Sequence, residues 1–166
     1  MVNVIIVGAG GFGREVYLWA KSTLSTKKFT IKGFLDDDPG QLVGFERKVG
    51  ILGGIHKKKH IYSIKKHDRF LLAMGSVAHK KKAISRLKKR GAQFLTLIHP
   101  TAIIAETAKI GEGVIICPFV TVTDHVIIED FAMLNFYASC GHDSKVGKYA
   151  ILSPYATVNG LSLIHI

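Results

Sequence analysis

The period of the C-terminal seventy or so residues constrains this chain more than anything else in it. Steps of six from Ile98 meet Ile104, Ile110, Ile116, Val122, Ile128, Leu134, Cys140, Val146, Leu152, Val158 and Ile164, and every position is apolar. In a chain that is 48% hydrophobic, chance gives such a run with a probability of ~10⁻⁴ in one frame. A second register, two places earlier, runs Ala102, Ala108, Val114, Val120, Val126, Ala132, Ala138, Ser144, Ala150, Ala156, small or β-branched throughout. One large and one small inward residue per six describes a short strand and a tight corner. Three such segments close a triangular coil of about eighteen residues, and coils stack into a parallel β-helix. Gly111, Gly141 and Gly147, with Asn135 and Asn159, follow the apolar step, where the corner is expected to need a tolerant backbone.

The preceding residues have a different texture. Val2–Val7 is an apolar run ending at Gly8, Phe29–Leu35 closes on Asp36-Asp37-Asp38-Pro39-Gly40, and Arg69–Met74 ends at Gly75. Each reads as a buried parallel strand. Arg14–Ser22 and a segment capped by Ser76, running to Arg90 and stopped by Gly91, carry helical spacing. Gln93–Ile98 is expected to add one more strand. This order predicts an α/β Rossmann-like unit at 1–97, followed by an all-β unit of hexapeptide repeats at 98–166.

Charge divides at the same place. Residues 1–97 hold 20 Lys+Arg against 6 Asp+Glu, and residues 98–166 hold 3 against 6. A basic nucleic-acid-binding or scaffold protein is one use for such a half. Stacking aromatics among its lysines are scarce, which argues for no nucleic acid. The run His56-Lys57-Lys58-Lys59-His60 reads as a solvated helix face, and its two histidines lack the companions of a zinc site. No metal is expected. Two cysteines, Cys117 and Cys140, make no disulfide framework. With no secretory leader pattern and no membrane-length apolar run, the expectation is a cytoplasmic protein without a membrane span.

Gly8-x-Gly10-Gly11-x-Gly13, after a strand and opening a helix, is a mononucleotide-binding turn. Asp36 stands where a ribose hydroxyl donor would be met. Alone, that pattern suggests an NAD-dependent oxidoreductase, but a β-helix follows where a dehydrogenase domain would be needed. His125 beside Asp124 and His142 beside Asp143 are the histidines with acidic neighbours inside the repeat.

These pieces together resemble the hexapeptide-repeat sugar acetyltransferases of the NeuD/PglD-like type, which act on sialic acid or on UDP-linked amino sugars such as bacillosamine. The resemblance rests on Gly8-Ala-Gly-Gly-Phe-Gly-Arg-Glu15, Phe34-Leu-Asp-Asp37, Ala73-Met-Gly75, His99-Pro-Thr-Ala102 and Gly141-His-Asp143, in that order. It implies a left-handed β-helix, a homotrimer, and acetyl-CoA as co-substrate. It implies a sugar nucleotide at the glycine turn, with Asp36, Asp37 and Gly75 nearby. It implies His142 as general base, oriented by Asp143, with Asn135 positioning substrate. The second active-site histidine of that type falls at Ile151. Such proteins continue through further coils, so the ending Leu161-Ser-Leu-Ile-His-Ile166 reads as a truncation.

Overall fold

The computed structural model describes residues 1–45, 49–55 and 61–165, so the His56–His60 run lies outside the described residues. Two compact units divide the chain, Met1–Phe94 and Leu95–Ile166.

The first unit is built on a parallel sheet of β1 (Val2–Val7), β2 (Phe29–Leu35), β3 (Ile51–Gly53) and β4 (Asp68–Leu72), in the spatial order β3-β2-β1-β4. β1 is central because Val4, Ile5, Ile6 and Val7 are fully buried, as a two-sided strand requires. Phe34, Leu35, Phe70 and Leu71 complete the core around it. The chain moves from β1 to β2 on one side and returns to β4 on the other. A topological switch point therefore opens at the C-terminal ends of β1 and β4.

Helix α1 (Gly11–Thr23) begins a turn earlier than the apolar spacing predicts, directly from the extended Gly10. Helix α2 (Val77–Lys88) starts at the predicted Ser76, whose hydroxyl accepts the His79 N–H, and stops two residues short of Arg90. Its inward face contains an unexpected member. Lys80 is buried beside Ala83, Ile84 and Leu87, and burial pushes its ammonium down to about 8. The expected strand Gln93–Ile98 does not form as one element. Phe94 makes a single bridge to Phe70, whereas Leu97–Ile98 pairs with Ile115–Ile116 in the second unit.

The second unit is a three-sided parallel β-helix. Its strands are two residues long and pair in register across eighteen residues, in three sheets of four among the described residues. One sheet stacks Leu97–Ile98, Ile115–Ile116, Met133–Leu134 and Ile151–Leu152. The next stacks Ile103–Ile104, Thr121–Val122, Ser139–Cys140 and Thr157–Val158. The third stacks Lys109–Ile110, Ile127–Ile128, Lys145–Val146 and Leu163–Ile164. The six-step residues from Ile116 to Val158 are buried, and Ile98 and Ile164 are less so at the ends of the stack.

The corners correct the sequence expectation. The left-handed conformation falls not on Gly111, Gly141 or Gly147 but two residues later, at Gly113, Phe119, His125, Phe131, Tyr137, Asp143, Tyr149, Tyr155 and Leu161, with φ between 54° and 67°. The glycines serve close approach instead. A Cβ on Gly111 would lie 2.6 Å from the Asp130 nitrogen, and one on Gly141 would lie 2.5 Å from that of Gly160. Bulky residues in the left-handed region are costly. Here the cost is offset by stacking across coils, with Phe119 on Tyr137 and Tyr137 on Tyr155, ring centroids 5.0 Å apart in both pairs.

Candidate functional site

In the first unit the glycine turn forms the floor of an open cleft of about 350 Å³ at the switch point. It is lined by Gly8, Gly10, Gly11, Gly13, Asp36 and Gly75, and by Gln41, Met74 and His79, which sequence reasoning missed. His79 could have been found from its place three residues after the Ser76 cap, which puts it in the first turn of α2. The glycines have separate jobs. Gly8 takes a φ of +99°, and a Cβ there would lie 2.6 Å from the Ala73 carbonyl oxygen. Gly13 lets α1 rest on the strand end, since its Cβ would lie 2.1 Å from the Gly8 carbonyl oxygen.

Both α1 and α2 begin at this cleft, and neither has an acidic residue in its first turn. Two positive dipole ends and their N–H groups suit an anion such as a pyrophosphate. The Asp36 carboxylate is engaged by the chain itself: Oδ2 accepts the Ala9 N–H at 2.8 Å and Oδ1 the Asp38 N–H at 2.9 Å. It shapes the turn as well as facing the cleft. Asp37 does not line the cleft, and its Oδ1 accepts the Ile55 N–H at 2.9 Å.

In the second unit, one corner carries both histidines that have an acidic neighbour. Reading up the coils it presents Glu106-Thr107, Asp124-His125, His142-Asp143 and Gly160-Leu161. His142 Nδ1 lies 3.0 Å from Asp143 Oδ2, and both side chains are exposed. With Nδ1–H donated to the carboxylate, Nε2 is the nitrogen left to take a proton. His125 is less well held. Its Nε2 is 3.7 Å from Asp124 Oδ2, and that carboxylate is engaged at its other oxygen by the Thr107 hydroxyl at 2.5 Å. Asn135 lies on the preceding corner, where its side-chain amide donates to the Leu152 carbonyl at 2.8 Å. His99 accepts the Thr101 N–H at its Nδ1, and burial lowers its basicity. Cys140 is buried in the coil, and burial pushes its thiol up to about 11, which makes it core rather than nucleophile. Among the described residues no group of three or more His, Cys, Asp or Glu is placed to hold a metal, and no helix is long and apolar enough to cross a membrane.

A glycine-turn parallel sheet followed by a hexapeptide β-helix defines a class of protein. The PglD N-terminal domain family model matches residues 3–87, and the chain belongs to that family. Among characterised proteins it is 35% identical over 74 residues to GDP-perosamine N-acetyltransferase of Escherichia coli O157:H7, covering 45% of this chain and 34% of that protein. It is 32% identical over 116 residues to UDP-N-acetylbacillosamine N-acetyltransferase of Bacillus subtilis (strain 168), covering 70% of this chain and 51% of that protein. The chain thus spans about half, or less, of the length of these relatives. Among solved structures, WeeI from Acinetobacter baumannii AYE aligns with a TM-score of 0.74 and 27% identity over 96% of this chain and 73% of that one. PerB from Caulobacter crescentus, solved with CoA and GDP-perosamine, aligns with a TM-score of 0.62 and 20% identity over 98% of this chain and 86% of that one. The fold is accordingly a Rossmann-like parallel-sheet unit followed by a left-handed parallel β-helix.

Proposed function

We propose that this chain carries the sugar-nucleotide cleft and the general base of an acetyl-CoA-dependent N-acetyltransferase acting on a nucleotide-activated amino sugar. The observation that carries the reading is the His142–Asp143 pair on an exposed coil corner, 3.0 Å apart, with Nε2 facing away from the carboxylate. The two relatives described above, both N-acetyltransferases of nucleotide-linked sugars, support nitrogen as the acceptor and leave sialic acid as the weaker substrate. The CoA and GDP-perosamine held by PerB support acetyl-CoA as the donor.

In this reading, Gly8, Gly10, Gly11 and Gly13 bring backbone N–H groups to the pyrophosphate, with Asp36 and Gly75 at the cleft wall. His142 Nε2 takes the proton of the acceptor amine as its nitrogen attacks the thioester carbonyl. A C–N bond forms, the C–S bond breaks, and the proton passes on to the departing CoA thiolate. Asp143 fixes the tautomer and stabilises the imidazolium that develops. Assembly of three chains through the coils is part of the same proposal. Light scattering reporting a single chain at micromolar concentration would remove that part.

The test is thiol release from acetyl-CoA with UDP- and GDP-linked amino sugars as acceptors. Replacing His142 by Asn is expected to lower kcat by about 10²–10⁴-fold. Turnover equal to the parent protein would take His142 out of the chemistry. Tight NAD(H) binding without sugar-nucleotide binding would move the cleft to the oxidoreductase reading.

A further inference from the structure

We infer that Gly160 is a positioning residue for His142, because the space of its missing side chain is where the imidazole lies. The inference rests on the reading of His142 as base. A Cβ at Gly160 would lie 2.7 Å from His142 Nε2, 2.9 Å from Cε1 and 3.1 Å from Cδ2. The outer edge of the ring therefore lies directly against the backbone of the next coil, while Asp143 holds the inner edge at Nδ1. Any side chain at 160 would push the ring away and cover the nitrogen that accepts the proton.

Backbone conformation is not what requires glycine here. Gly160 does not occupy the left-handed region; the corner residue that does is Leu161, at 63°. The coil is held independently, by the Gly141 N–H donating to the Val158 carbonyl at 2.7 Å and the Leu161 N–H to the His142 carbonyl at 2.9 Å. Alanine at 160 would strike only the far end of a rotatable side chain, so the imidazole swings aside and the fold remains. Gly141 is the opposite case. Its Cβ would strike the Gly160 nitrogen at 2.5 Å and the Asn159 carbonyl carbon at 3.0 Å, both backbone atoms. Alanine there has to push the coils apart. Position matters as much as residue type: eighteen residues beyond His125 stands Asp143, so the other histidine of this corner has no glycine seat.

The experiment compares Gly160→Ala, Gly141→Ala and His142→Asn, alone and with Gly160→Ala, by ring NMR of the histidines, thermal unfolding and steady-state kinetics. Gly160→Ala is expected to melt within about 2 °C of the parent and to move the His142 ring signals while leaving those of His125 in place. It should lower kcat about ten- to hundredfold with acceptor KM nearly unchanged, the penalty for a base displaced by about 1 Å. Adding Gly160→Ala to His142→Asn should cost nothing further, because the residue it positions is gone. Gly141→Ala should instead lower the melting temperature. Unmoved His142 signals in Gly160→Ala, or an equal further loss in the double variant, would overturn the assignment. Full turnover by His142→Asn would remove the base reading alone, and the ring signals would still decide whether Gly160 seats the imidazole.

Discussion

Replacing Gly13 by Ala puts a methyl group where α1 meets the end of β1. That carbon would sit 2.1 Å from the Gly8 carbonyl oxygen and 2.9 Å from its carbon. A normal carbon–oxygen contact is more than ~3 Å, so the overlap exceeds about 1 Å, and both partners are backbone. Neither can rotate away, and the helix has to lift off the strand. Overpacking of this kind costs about 3 kcal/mol at the upper end of its usual range. Alanine in place of glycine inside a helix returns about 1 kcal/mol. The net of about 2 kcal/mol corresponds to a fall of roughly 8–16 °C in melting temperature for a unit of this size. The comparator is Gly11→Ala, where the nearest atom is the mobile Arg14 Nη2 at 3.9 Å. That variant should melt at or above the parent temperature. Circular dichroism of the three proteins measures both. Equal melting of Gly13→Ala and the parent would refute the claim that α1 is seated on the Gly8 carbonyl, and with it the shape of the cleft.

Tyr137 stacks on Phe119 below and Tyr155 above, so Tyr137→Ala should lose two contacts of about 1 kcal/mol each and lower the urea midpoint of the coil; an unchanged midpoint would mean the ladder carries no stability. Lys80 titrates at about 8 in the folded chain against 10.5 for a free lysine, so the unfolded state binds the extra proton between those values and stability should rise as pH climbs from about 8 to 10. Below pH 8 the penalty on the buried charged form is fully present, so Lys80→Met should flatten that rise. Parallel stability–pH curves for the two proteins would refute it.

Much of the coil is legible because one physical demand repeats twelve times: an apolar side chain must point inward wherever a short strand crosses the triangle. The corner conformation is not legible in the same way. Phe119, Tyr137 and Tyr155 sit at φ near 60°, a region in which aromatic side chains are rare. What holds them there is stacking on residues eighteen positions away, a tertiary term that no local propensity contains. The glycines misled for a related reason, since their sequence position marks contact with the neighbouring coil rather than their own φ. In the first unit, Asp36 was legible as a cleft residue but not as a tie to Ala9 and Asp38, because short backbone-to-carboxylate bonds depend on the turn already being folded. Lys80 was hidden by its type: lysine reads as surface, and only its spacing from Ile84 and Leu87 places it on the buried face.

A β-helix changes what counts as a neighbour. Along the chain, His125 and His142 look equivalent, each beside an aspartate. Across the coils they are not. Asp143 occupies the left-handed corner position and His142 the residue before it, whereas in the preceding coil His125 itself takes the left-handed position and Asp124 precedes it. The exchange moves the imidazole from the tip of the corner to its shoulder, where the residue eighteen further on is Gly160. There the ring gains a carboxylate at one edge and bare backbone at the other, while the side chain as a whole stays exposed. His125 has a carboxylate 3.7 Å away that is shared with Thr107. A base needs a held ring, and on this corner the shoulder position, read together with its partner one coil on, holds the imidazole more closely than the tip does.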